Sequence, residues 1–229
     1  TNTMSKALDL EEQEQLDQIK HFWKRYGNLI SWVLIAVMGS YAAWNGYQYW
    51  QRDQAGKASV MFDEVERAVT SGDLARVERS FADMKDKFGA THYAHQAALL
   101  AAKSLQTQGK SDAARAALSW VAESAPDSAY RDIARLRLSA LLLDAGSNDE
   151  ALSQLTRPFT PAMQGLAEDL RGDVLKAQSK NSEAAAAYQL AWQQLADSAD
   201  YRRLVEAKLN ALGMDPQTAS SASVKGASK

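Results

Sequence analysis

The sequence of 229 residues contains no cysteine. This absence excludes disulfide bonds, cysteine-ligated zinc, thiol catalysis and the acylated cysteine of a lipoprotein. It also suits an oxidising compartment, where no thiol can mispair, although cytosolic proteins can lack cysteine too. Proline is scarce as well, with only four residues, while alanine is abundant, which favours an all-α body.

Neither sign of charge dominates the sequence. The 26 Lys and Arg residues nearly balance the 28 Asp and Glu residues, for a net charge of −2. Nucleic-acid-binding proteins usually carry a basic patch or stripe, so we expect no nucleic-acid partner.

Motifs for catalysis are also missing. The sequence shows no nucleophile motif, phosphate-binding loop or dinucleotide fingerprint. His92 and His95 have the spacing of a metal pair, but no carboxylate or third histidine lies near them in sequence. We therefore expect no enzyme, no cofactor and no metal, with the two histidines in surface or packing roles.

Charge is absent from residues 26–51, between Arg25 and Arg52. Because a helix rises about 1.5 Å per residue, roughly 20 residues cross a hydrocarbon core of about 30 Å. Aromatic residues border this stretch, as they do at the two interfaces of a bilayer; they are Phe22, Trp23 and Tyr26 on one side and Trp44, Tyr47, Tyr49 and Trp50 on the other. We predict a transmembrane helix over residues 26–50, with a cleaved signal peptide or a soluble core helix as alternatives.

The flanking charges predict an orientation. Lys20, Lys24 and Arg25 precede the span, whereas residues 52–57 carry a more balanced set. Positive residues remain on the cytoplasmic side. We therefore expect residues 1–25 to form a cytoplasmic amphipathic segment and the long C-terminal body to lie in the periplasm of a Gram-negative cell, anchored in its inner membrane.

One face of the predicted span carries small side chains. Ala36, Gly39, Ser40 and Ala43 recur at three- and four-residue spacing. Small residues let two helix backbones approach closely, so we predict a packing face for another membrane helix. The alternative is that this face meets lipid.

The body contains a repeat. Residues 109–114 (GKSDAA), 146–151 (GSNDEA) and 179–184 (SKNSEA) align, and a weaker copy begins at Gly72. Each aligned segment has a small residue seven positions before it, a leucine four before it and a large apolar residue nine after its start; these are Ala102, Ser139 and Gly172, then Leu105, Leu142 and Leu175, then Leu118, Leu155 and Tyr188.

A period near 34 residues with this pattern is typical of the helical hairpins of tetratricopeptide (TPR) repeats. We therefore predict an all-α chain, in which the single transmembrane helix precedes a TPR-like helical-hairpin solenoid over residues 51–212. The match is partial, because Ala98, Arg135 and Glu168 replace the aromatic residue of the first helix, and an unrelated helical bundle is the alternative. Residues 213–229, rich in Ser, Ala and Lys, are predicted to be disordered.

Predicted helices in the body cover residues 54–71, 74–88, 92–108, 111–125, 128–145, 148–156, 161–179, 181–197 and 199–211, after a short linker at 52–56. In stacked hairpins the first helices line a concave groove. The predicted groove residues are Gln96, Leu99, Lys103 and Gln106, then Ile133, Leu136, Arg137 and Ala140, then Leu166, Asp169, Asp173 and Lys176. This mixture suits protein segments, but it differs from the Lys/Asn clamp of chaperone-type TPR domains, since Leu99 and Lys103 occupy the key positions.

The order of these features resembles a known family. An acidic N-terminus leads to FWKRYGN (22–28), a single span, the aromatic NGYQYW (45–50), an A-x-x-A-S-x-x-F segment (55–62) and degenerate TPR repeats. This order is similar to the YfgM family of ancillary SecYEG translocon subunits. The resemblance implies a single-pass inner-membrane protein whose periplasmic TPR domain associates with SecYEG and with a PpiD-like chaperone and assists newly exported clients. A scaffold for cell-envelope assembly unrelated to export is the alternative function.

Overall fold

The computed structural model describes residues 3–195 and 198–215, with side chains described from residue 20 onwards. These residues form helices α1 (Thr3–Ser71), α2 (Leu74–Phe88), α3 (His92–Thr107), α4 (Ser111–Ser124), α5 (Ser128–Asp144), α6 (Asn148–Leu155), α7 (Pro161–Ala177), α8 (Asn181–Gln194) and α9 (Ala199–Ala211). The described ranges contain no β-strand, which confirms the predicted all-α fold. The chain divides into two compact units, Thr1–Gln54 and Ala55–Lys229.

The first unit contains the charge-free stretch, which is helical throughout. Its large apolar side chains are open to the surroundings; Trp32, for example, is 66% exposed and Met38 71% exposed. Its two serine side chains bond to their own helix, since the hydroxyl groups of Ser31 and Ser40 donate to the carbonyl oxygens four residues earlier. An apolar exterior with internally satisfied polar groups is what a lipid environment requires.

The short segment that follows the charge-free stretch differs from the prediction. Residues 52–56, predicted as a linker, are helical and belong to α1. Gly56 does not interrupt the helix, because one glycine costs only about 1 kcal/mol in a helix interior. The predicted disordered tail at 213–229 lies largely outside the described residues, which end at Asp215.

The turns inside the hairpins confirm the repeat register. Each repeat copy starts on a residue with positive φ: Gly72 at 72°, Gly109 at 81°, Gly146 at 75° and Ser179 at 62°. Glycine adopts this left-handed conformation at little cost, whereas a residue with a Cβ is strained there. Ser179 is therefore the one described non-glycine residue that accepts this strain to keep the turn.

The residues that define the repeat pack the hairpins α3/α4, α5/α6 and α7/α8. Ala114, Ala151 and Ala184, each in the second helix of its hairpin, are fully buried. In the third hairpin Tyr188 replaces the leucine of the other copies and is fully buried. A Cβ on Gly172 would overlap the Tyr188 ring, so the glycine makes room for the larger side chain.

Candidate functional site

The small-residue face of the span is open along the first unit. Ala36, Gly39, Ser40 and Ala43 are all exposed, and a Cβ on Gly39 would meet nothing within 4 Å. The Ser40 hydroxyl donates to the Ala36 carbonyl oxygen at 2.7 Å. The hydroxyl thus turns back on its own helix and leaves a smooth surface for close approach.

The predicted groove residues of α3 and α5 meet around one cavity. Lys103, Gln106 and Arg137 line a space of about 230 Å³. Its floor is apolar, because Ala102 and Leu118 are each only 1% exposed. The Arg137 guanidinium donates to the Leu99 carbonyl oxygen at 3.3 Å, which ties α5 to α3 at this point.

Other predicted groove residues serve the packing of the body. Leu99 is 8% exposed and lies in the main core, where the half-buried Ile133 and Leu136 pack against it or its neighbours. Gln96 is exposed, and its amide nitrogen donates to the Tyr130 hydroxyl at 2.6 Å. Only part of the predicted groove therefore presents polar groups to a ligand. Ala140 and Leu166 are half-buried, and Lys176 is exposed.

The two aspartates of the predicted groove are bound by the protein itself. The Lys208 ammonium on α9 donates to both carboxylate oxygens of Asp169, at 2.8 and 2.9 Å, and to Asp173 at 2.8 Å. The Tyr188 hydroxyl donates to the other Asp173 oxygen at 2.7 Å. Asp169 is 3% exposed, so its charge requires such a partner.

The electrostatics of Lys208 fit this role. Burial by itself lowers the pKa of Lys208, but the hydrogen bonds and charges of Asp169 and Asp173 outweigh it and raise the pKa above its ordinary value. The ammonium form is thus held firmly in place. Sequence reasoning missed this contact, because Lys208 and Asp169 are 39 positions apart and belong to different helices.

A second polar cluster was also missed. Arg135 and Asp132 form an ion pair whose side chains are 8% and 3% exposed. Arg135 also donates to the Pro158 carbonyl oxygen at 2.8 Å and stacks over the Phe159 ring, while Asp132 accepts from the Thr160 backbone N–H at 2.8 Å. The pair fixes the loop that leads into α7.

Arg135 and Asp132 border a cavity of about 570 Å³. Burial raises the pKa of Asp132, but the hydrogen bonds from Thr160 and Arg135 outweigh it and hold this pKa below the usual range. The sequence held one signal for this polar cluster: Arg135 places a charge at the repeat position where an aromatic residue was expected.

The two histidines of the possible metal pair do not converge on a ligand cluster. Among the described residues, no group of three or more His, Cys, Asp or Glu could hold a metal ion. His95 is fully buried and stacks on the Trp120 ring, with centroids 4.9 Å apart, whereas His92 is exposed.

Comparison with known proteins fits this architecture. The family model of the tetratricopeptide repeat-like domain matches residues 20–214. An ancillary SecYEG translocon subunit of Neisseria gonorrhoeae is 30% identical over 90% of this chain and 99% of the relative. The chain belongs to the YfgM family of ancillary SecYEG translocon subunits.

More distant relatives of this chain within the YfgM family carry the same name. The subunit of Haemophilus influenzae is 28% identical over 90% of this chain and all of the relative. The subunit of Escherichia coli is 23% identical over 78% of this chain and 85% of the relative. The family match includes both the apolar helix and the repeats, since it begins at residue 20.

Proposed function

We propose that this protein is a non-catalytic accessory subunit of the Sec translocon, anchored in the bacterial inner membrane by residues 26–50. The observation that carries the proposal is the family relationship along nearly the whole chain, combined with a helix long and apolar enough to cross a membrane. Relatives named translocon subunits support SecYEG as the partner. In this proposal the N-terminus is cytoplasmic, and the TPR-like body is periplasmic.

The body acts as an adaptor in this proposal. The groove between α3 and α5 holds a segment of a PpiD-like chaperone or of a newly exported protein, and the small face of the span contacts a neighbouring membrane helix. The support is the cavity at Lys103 and Arg137 and the open surface around Gly39. Burying apolar surface in the groove contributes about 25 cal/mol per Å² before the entropic cost of association.

Affinity purification of the full chain in mild detergent tests the translocon assignment. We expect SecY, SecE and SecG in the eluate. An eluate rich in cell-envelope assembly proteins and free of the translocon would favour the alternative scaffold function instead.

Photo-crosslinking tests the membrane contact. A crosslinker at Gly39 or Ala43 should give protein adducts with the translocon or the chaperone. Leu34 is the matched control, since 3.6 residues per turn place it on the opposite side of the helix. Lipid adducts alone at all three positions would contradict the docking of the small face.

Protease added to spheroplasts tests the orientation. We expect the body to be degraded while residues 1–25 stay protected. Protection of the body in intact spheroplasts would overturn the periplasmic assignment.

A further inference from the structure

The groove of the TPR-like body has a different charge from the one its sequence indicates. The predicted groove residues include three cations, Lys103, Arg137 and Lys176, and two carboxylates, Asp169 and Asp173. In the folded body both carboxylates are hydrogen-bonded by Lys208. Asp169, 3% exposed, is therefore not available to a ligand, and the half-buried Asp173 already accepts hydrogen bonds from Lys208 and Tyr188.

The cations at the α3–α5 end remain without a carboxylate partner within the described residues. Lys103 and Arg137 are exposed, and neither takes part in an ion pair there. The five residues that line their cavity include no Asp or Glu. A site with two cations and no anion favours a ligand with negative charge.

The size and floor of the cavity narrow the ligand class. Its volume of about 230 Å³ is below the roughly 300–1,000 Å³ of small-molecule sites, so it fits a single side chain better than a cofactor or metabolite. The apolar floor of Ala102 and Leu118 suits methylene groups, and the rim of Lys103, Gln106 and Arg137 suits a carboxylate. A glutamate side chain combines both features.

We infer that the α3–α5 groove binds acidic polypeptide segments and receives a glutamate side chain between Lys103 and Arg137. This inference rests on the proposed function, because it names the class of segment that the adaptor holds. The α7–α9 end contributes nothing to this charge preference, since the carboxylates of Asp169 and Asp173 and the ammonium groups of Lys176 and Lys208 sum to no net charge. The acidic side chain is therefore directed to the α3–α5 end.

A binding assay with the full chain in detergent tests the inference. The probes are fluorescent, end-capped short peptides in which Gly alternates with Glu, Gln or Lys. We expect the Glu peptide to bind, and to bind at least about tenfold more tightly than the Gln peptide, a difference of about 1.4 kcal/mol. Its affinity should fall as salt is raised, because exposed charge pairs are screened.

Charge reversal supplies the matched control. The double variant Lys103→Glu/Arg137→Glu should lose about tenfold or more in affinity for the Glu peptide. Lys110→Glu/Lys180→Glu makes the same change in net charge at exposed hairpin turns and should bind as the wild type does. Arg137→Gln, which keeps a hydrogen-bond donor for the Leu99 carbonyl, should give an intermediate loss without unfolding.

Two results would overturn the inference. One is equal binding, or equal lack of binding, of the Glu and Gln peptides. The other is an equal effect of the groove and control double variants. Co-purification with the translocon is measured on the same variants, so that a failure of the acidic-segment inference is distinguished from a failure of the translocon assignment.

Discussion

Replacing Arg135 with methionine should destabilise the body by about 3–5 kcal/mol, the usual cost of breaking a buried ion pair from one side. The substitution leaves the Asp132 carboxylate, 3% exposed, without its cationic partner and dependent on the hydrogen bonds from Thr160. It also removes the hydrogen bond to the Pro158 carbonyl and the stacking on Phe159. The free energy of unfolding is measured by urea titration of the full chain in mild detergent, followed by far-UV circular dichroism.

A double-mutant cycle makes this prediction specific to the pair. Asp132→Asn/Arg135→Met removes both charges and should cost less than the sum of the single variants, by about 2 kcal/mol. Arg115→Met is the control, because its ion pair with Glu150 is exposed (44% and 56%) and should be worth no more than about 1 kcal/mol. Equal costs for Arg135→Met and Arg115→Met, or strict additivity in the cycle, would refute the reasoning.

Three further outcomes are expected of the full chain. Ser179→Gly should stabilise it by about 1 kcal/mol in urea titration, since it removes the Cβ strain at positive φ; a loss of stability would contradict this. Gly172→Ala should cost about 1–3 kcal/mol by overpacking against the buried ring behind it, whereas Gly56→Ala, where a Cβ meets nothing within 4 Å, should be neutral or stabilising. Burial lowers the pKa of His95, so the contribution of the neutral imidazole to the free energy of unfolding is complete above about pH 6.5, the ordinary pKa, and is lost as pH falls below that value. The thermal midpoint should therefore fall less between neutral and mildly acidic pH in His95→Phe than in the wild type. An equal fall in both proteins would rule this out.

Much of the fold was predictable because its signals are local. The span follows from a run without charge, and the hairpins follow from small and large residues at fixed spacing. The positive φ values at Gly72, Gly109, Gly146 and Ser179 show that the register read from the sequence is the register of the turns. The helical state of residues 52–56 was less predictable, since one glycine among helix-forming residues is a weak stop signal.

The candidate site was only partly predictable, for a different physical reason. Lys103, Gln106 and Arg137 share a cavity, as their helix positions indicated, but Leu99 belongs to the core. A repeat pattern identifies the helix face on which a residue lies. It does not show which distant side chain neutralises that residue.

The sequence by itself determined that this chain has one charge-free apolar helix and a body of repeated helical hairpins, because both are set by periodicities along neighbouring residues. Only the tertiary structure decided the charge of the groove, because the contact of Lys208 with Asp169 and Asp173 joins α9 to α7. The same holds for the Asp132–Arg135 ion pair, whose contribution to stability depends on its burial against the loop before α7. Burial and long-range pairing determine what a charge costs and what it can bind, and neither can be read from spacing alone.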